Sequence, residues 1–361
     1  MKIVFFQDIV SMHFASFFRE LSNSNKVYLF VDELITQKRL NQGWEVPDTG
    51  TTKIFVNKDS DFTRKFIDEN DESYFIFSGL HSVKSSILAF KHTIKKKDRY
   101  IGILSEGYKS HDFKTLLRII RSRLFYLKYG KKIKFIFAIG DIAVKWYVKS
   151  GFSEKVVYNW TYFVDNKKSS LIPKTEKNNK FALLFVGELN ANKRILNLID
   201  VVKDISDVDL KVVGEGKFTS KVKTYSEIYD NIQYLGILEN SLVFEIMKNS
   251  DLLILPSKHD GWGAVTNESL LAGTPVLCTN TCGSSVLLDG RIRGESYKWS
   301  KKRTRKLILK WKGKDNLEVN RNIIIKWSAN LLAENAISYF TDVMHYVSKK
   351  TNDLKPKAPW I

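Results

Sequence analysis

A chain of 361 residues is long enough for two domains of ordinary size, each with its own core. Its composition, 43% apolar with 13% aromatic residues, excludes wholesale disorder, and no run approaches the roughly 18 uninterrupted apolar residues of a membrane span. The formal charge of +19 needs a partner or a reason: nucleic acid, an anionic membrane surface and anionic small substrates all suit that sign, as does a lysine-rich surface kept soluble by charge.

The amino terminus meets Gln7 and Asp8 after a few apolar residues, where a secretory signal would continue, so it reads as a first buried strand. From there to about residue 160, β-rich runs at 3–6, 27–31, 53–56, 74–78, 100–104, 134–139 and 155–159 are separated, in several places, by amphipathic stretches such as 11–21, 83–95 and 112–128. Strands spaced by helices need crossover connections, which implies a parallel sheet and one doubly wound α/β domain over 1–165. The polar, lysine-rich region 166–180, with Pro173 and no apolar period, reads as a linker. Alternation restarts at 181 and gives a second α/β domain over 181–335, and two such domains are expected to face each other across a cleft. Residues 300–314 are strongly basic, and 319–348 carry one long helical pattern through Trp327, Leu331, Ala336, Tyr339, Phe340 and Val343. Cys278 and Cys282, the only cysteines, lack a second pair for zinc and read as reduced thiols.

Within the second domain the stretch 257–279 orders a strand, a Gly261-Trp262-Gly263 loop, a short helix stopped by Gly273 and Pro275, and another strand. Asp260 and Glu268 bracket the loop. Such carboxylates can accept hydrogen bonds from several hydroxyls of one ligand, while the glycines and a helix start let a phosphate approach the backbone. A sugar nucleotide has both features. The pattern Asp260-x7-Glu268 resembles the Glu-x7-Glu signature of retaining glycosyltransferases of family 4, which have the GT-B fold of two Rossmann-like domains. Phe185-Val-Gly-Glu-Leu-Asn-Ala-Asn-Lys193, Val212-Val-Gly-Glu-Gly216 and Asn231-Ile-Gln-Tyr-Leu-Gly236 are similar to further family elements, in the family's order.

The resemblance implies a metal-independent transfer from a nucleotide-sugar donor, with no cofactor, to a glycan or lipid-linked acceptor in bacterial surface-polysaccharide synthesis such as O-antigen or capsule. It puts Lys193 on the diphosphate, aided by Arg194. Glu188 stands where the family usually has arginine. Glu268 would take the ribose hydroxyls and Asp260 the transferred sugar, with Gly261, Trp262, Gly263, Gly187, Gly214 and Gly216 along the donor. It also implies a carboxyl-terminal helix, at 336–361, that crosses back to the first domain. Where the family often has a histidine after the 100–104 strand, this chain has Glu106, a candidate contact to sugar or acceptor hydroxyl. Asp8 and His13, after the first strand, are acceptor-binding candidates.

One segment stands apart. In 111–134, Leu116, Leu117, Ile120, Leu124 and Leu127 give an apolar helical face and lysines and arginines a basic one. That combination suits an anionic membrane surface, or else a domain helix with its apolar stripe turned inward. The expected location is cytoplasmic, peripheral on the inner face of the plasma membrane; nucleic acid is not an expected partner. Two rival readings keep the fold: another enzyme of the same architecture, such as a sugar-nucleotide epimerase, or an inactive basic membrane- or nucleic-acid-binding module.

Overall fold

The computed structural model describes residues 1–40, 45–80, 82–108, 115–164, 180–315, 317–349 and 354–361. Of the linker expected at 166–180, residues 166–179 lie outside the described residues, as do His81 and His111. The chain divides into two compact units. The first comprises Met1–Asp165, Leu331–Pro359 and Ile361, the second Asn166–Asn330 and Trp360.

In the first unit the chain runs β1 (Lys2–Phe6), α1 (Met12–Ser22), β2 (Lys26–Val31), α2 (Gln37–Leu40), β3 (Lys53–Val56), α3 (Ser60–Glu69) and β4 (Tyr74–Phe77). It continues through α4 (Lys84–Thr93), β5 (Tyr100–Glu106), α5 (Thr115–Tyr129), β6 (Ile133–Ile139), α6 (Gly140–Ser150) and β7 (Val157–Trp160). The strands pair in parallel in the order β3-β2-β1-β4-β5-β6-β7. With helices on its faces the central strands are buried on both sides, so β4 is the unbroken apolar run Tyr-Phe-Ile-Phe. Aromatic rings fill this core: Phe6 stacks on Phe77 and Phe30 with centroids 4.8 and 4.9 Å away.

The second unit contains β8 (Phe181–Val186), α7 (Ile195–Val202), β9 (Val208–Val213), α8 (Thr219–Ile228), β10 (Ile232–Gly236), α9 (Asn240–Lys248) and β11 (Leu252–Leu255). There follow α10 (Val265–Leu271), β12 (Val276–Thr279), β13 (Gly294–Tyr297), α11 (Lys301–Lys312) and α12 (Leu317–Ser328). Its parallel sheet has the order β10-β9-β8-β11-β12-β13. The chain therefore winds outward from β8 to one side, then returns to build from β11 on the other.

The single helix expected over 319–348 is two. A 3-10 turn at Ala329–Leu331 separates α12 from α13 (Ala333–Lys349). The apolar period continues through the turn, which hides the break, but Ser328 turns its hydroxyl back to the Ile325 carbonyl at 2.8 Å. Helix α13 belongs to the first unit and packs on α1. There Phe340 lies 5.5 Å from both Phe17 and Phe137, and the Tyr74 hydroxyl donates to the Met344 carbonyl at 3.4 Å. Behind it, Lys355 Nζ donates to the carbonyls of Glu154 and Val157, each at 2.6 Å.

Candidate functional site

Adjacent strands β8 and β11 run parallel, and the connections after them leave in opposite directions. At such a switch point the two loops beyond the carboxyl ends part and leave room for a ligand. The loop after β8 carries Gly187 to Arg194 and the loop after β11 carries Pro256 to Ala264.

These loops are fastened together through their backbones. The Lys258 amide donates to the Asn192 carbonyl at 2.7 Å, and Asn192 Nδ2 donates to the His259 carbonyl at 2.8 Å. Asn190 Oδ1 accepts from the Lys193 amide at 2.9 Å, fixing the turn. The outcome is that the Lys193 ammonium donates to Asp260 Oδ2 in a close ion pair. Both side chains are largely buried, with 21% and 16% of their surface left exposed. Arg194 takes up a left-handed backbone with φ of 54°, donates to the Pro256 carbonyl at 2.8 Å and lies over the Trp299 ring at 5.1 Å. Its charge braces the loop, and burial holds its pKa below the usual arginine range. Glu188, in the usual arginine position, is exposed at the turn.

Asp260 is held from behind as well. Its amide donates to the Thr281 carbonyl and its own carbonyl accepts from the Gly283 amide, both at 3.1 Å. Trp262 is fully buried, with its indole N–H on Asn267 Oδ1 at 2.8 Å, so its ring anchors the loop from inside. Gly261 and Gly263 are partly exposed above it, and Gly263 has φ of 90°, a left-handed conformation that glycine adopts without penalty. Glu268 stands half-buried in the first turn of α10, the helix that the loop leads into. Cys278 and Cys282 are free thiols buried beside Asp260, and the neighbouring Cys282 together with burial pushes the Cys278 thiol up.

The neighbouring turns are built around glycine. The Gly187 amide continues the ladder to the Val213 carbonyl at 3.0 Å, and the Gly214 amide continues it to Gly236 at 2.7 Å. A Cβ on Gly214 would sit 2.2 Å from the Gly187 carbonyl oxygen. The Gly216 amide donates to Thr219 Oγ1 at 3.0 Å, closing the turn into α8.

The candidates of the first unit form a separate group. Glu106, the last residue of β5, accepts a short hydrogen bond from the Tyr162 hydroxyl. The His13 ring stacks on Tyr162, centroids 4.7 Å apart and 13° from parallel. Burial, reinforced by the charge of Arg39, lowers the His13 pKa from 6.5 to about 4, so the ring is neutral at physiological pH. Asp8 is exposed, its Oδ1 accepting from the Ile9 amide at 3.0 Å. Tyr162, which links the other two, carries no sequence signal beyond being one aromatic residue after a strand. Asn190 and Asn192 are legible only as turn formers. Among the described residues no group of three His, Cys, Asp or Glu side chains is placed to hold a metal ion.

Residues 167–324 match the family described as Glycosyl transferases group 1. An uncharacterised 41.2 kDa protein in the cps region of Klebsiella pneumoniae is 27% identical over 220 residues, 57% of this chain and 59% of that protein. The chain spans about half the length of the curated relatives it matches. Among solved structures, Anabaena HepE in complex with UDP aligns with a TM-score of 0.69 at 13% identity, over 94% of this chain and 99% of that one. The lipopolysaccharide outer core galactosyltransferase WaaB aligns with a TM-score of 0.69 at 16% identity, over 94% and 100%. These likenesses show the fold, two Rossmann-like units as in GT-B glycosyltransferases. The glycine turns and the Lys193–Asp260 pair all lie within residues 167–324, the stretch that is similar to the glycosyl transferases of group 1.

Proposed function

We propose that the protein transfers a sugar from a nucleotide-sugar donor, with UDP as the carrier, to a hydroxyl of a lipid-linked or polysaccharide acceptor, retaining the anomeric configuration and using no metal ion. The observation that carries this reading is the Lys193–Asp260 pair at the switch point of the second sheet. In the free protein each is the counter-ion of the other. A diphosphate entering between them competes for Lys193, and the freed Asp260 carboxylate turns to the hydroxyls of the donor sugar. As the bond from sugar C1 to the phosphate oxygen breaks, negative charge grows on the leaving phosphate, so the lysine favours the transition state over the ground state. The acceptor oxygen bonds to C1 on the same face and its proton passes to the leaving phosphate oxygen, which needs no protein nucleophile. Glu268 accepts from the ribose hydroxyls. Glu106, positioned by Tyr162, is the first-unit group assigned to a sugar or acceptor hydroxyl, with Asp8 and the neutral His13 as further acceptor contacts.

Support for UDP comes from Anabaena HepE, crystallised with it. Support for a surface-glycan acceptor comes from WaaB, a lipopolysaccharide galactosyltransferase, and from the relative encoded in a cps region. The expected site of action is the cytoplasmic face of a bacterial membrane. The test is thermal unfolding against UDP, GDP, dTDP, ADP and CMP, where ligand at about 100 times its dissociation constant adds about 2.7 kcal/mol. UDP alone should raise the melting point; a folded protein indifferent to all five overturns the donor assignment.

A further inference from the structure

Helix α5 is turned the wrong way for a core helix. Its inward side is Ser122, Phe125, Tyr126 and Tyr129. Trp146 Nε1 donates to Ser122 Oγ at 3.1 Å, Phe125 lies 5.8 Å from Phe90, and Tyr126 lies 5.0 Å from Phe152. Those contacts fix the rotation of the helix about its axis. Leu116, Leu117, Ile120, Leu124 and Leu127 are left outside, between 48% and 69% exposed. At 100° per residue they occupy one sector of about 100°. Arg123 borders it on one side, Arg121 and Lys128 on the other, and all three are exposed. No aspartate or glutamate occurs anywhere from Thr115 to Gly140.

We propose that this face of α5 docks the protein on an anionic phospholipid bilayer, the helix lying in the plane of the headgroups. Five large aliphatic side chains in one stripe would enter the boundary between headgroups and acyl chains, roughly 5–10 Å deep. The arginines and lysine on both borders meet lipid phosphates at the level above. A second copy of this chain would set the same cations against one another with no carboxylate between them, so self-association does not satisfy the face. An anionic lipid surface satisfies both the stripe and its borders. The inference stands apart from the donor site, because it can be read without sugar transfer.

The experiment is co-sedimentation of the full chain with vesicles of phosphatidylglycerol and phosphatidylethanolamine, against vesicles of phosphatidylcholine alone, at low and high salt. The wild type should pellet with the anionic vesicles, less so in high salt, and stay in solution with the neutral ones. Leu117→Ser combined with Leu124→Ser and Leu127→Ser should weaken anionic-vesicle binding about tenfold or more, and each of Arg121→Gln and Arg123→Gln by about fivefold. These side chains are exposed, so all variants should keep the melting point and the UDP-induced shift of the wild type. A wild type that stays in solution with anionic vesicles overturns the proposal, as does a triple leucine variant that binds them undiminished. A dimer in size-exclusion chromatography that the leucine changes dissociate, without vesicle binding, would assign the face to self-association instead.

Discussion

Replacing Lys193 by methionine keeps most of the length of the side chain and removes its charge. Two unit charges about 4 Å apart interact by about 4 kcal/mol at an effective dielectric of about 20, and partial exposure of this pair screens that by roughly half. Loss of the cation therefore removes about 2 kcal/mol of attraction for a diphosphate. Asp260, stripped of its counter-ion, then repels the same diphosphate by about 1 kcal/mol. Together these weaken UDP binding about a hundredfold. Asp260→Asn acts in the opposite sense. It frees the lysine and removes the repelling carboxylate, so UDP should bind equally well or up to about fivefold tighter, while sugar transfer is lost. Isothermal titration with UDP on the two single variants and the double variant closes a cycle, and the double variant should bind better than Lys193→Met alone. UDP affinity unchanged in a folded Lys193→Met protein would refute the counter-ion exchange, and so would a large loss of affinity in Asp260→Asn.

Glu268→Ala should weaken UDP binding by about 10- to 100-fold, the worth of hydrogen bonds to a charged group, with the melting point kept; unchanged titration would remove Glu268 from the site. Gly214→Ala places a methyl 2.2 Å from the Gly187 carbonyl oxygen at a φ of 124°, and should cost about 3 kcal/mol, seen as a melting point lower by several degrees. An unaltered melting point would mean that the two turns can part freely. His13 has a folded pKa of about 4 against 6.5 in the unfolded chain, so its contribution is fully present above pH 6.5 and declines as pH falls toward 4, by about 3 kcal/mol. His13→Asn should flatten that stretch of the stability profile in urea titrations; parallel profiles for the two proteins would contradict it.

The sheets were legible because their strands are continuous apolar runs flanked by turn residues, as at 181–186 and 252–255. Where that contrast fails, so does the reading. Strand β13 is Gly-Glu-Ser-Tyr, polar because it edges the sheet, and so carries no strand signal. Helix α3 buries only Ile67, and its start is signalled by Asp59, whose carboxylate accepts from the Asp61 and Phe62 amides at 2.9 and 2.8 Å. The Asp260, Glu268 and Lys193 positions came from spacing within a known pattern, but nothing in spacing says that the lysine and aspartate touch. Periodicity found the leucine stripe of α5 without its direction. Aromatic residues on the opposite side of the same helix decide that, through partners from α4, α6 and the loop after it.

The placement of α13 against α1 makes the first unit discontinuous, with a long insertion between its halves. On a ribosome the consequence is one of timing. Phe17, Phe137 and Trp160 emerge early, whereas Phe340, which packs against all three, appears only after residues 166–330 of the second unit have been synthesised. At roughly 5–20 residues per second that interval is on the order of 10–30 s. During it the nascent first unit presents a bare aromatic surface, so the half-made chain is the species that chaperones would be expected to hold, and the stretch 166–330 of the second unit is the first that can be completed.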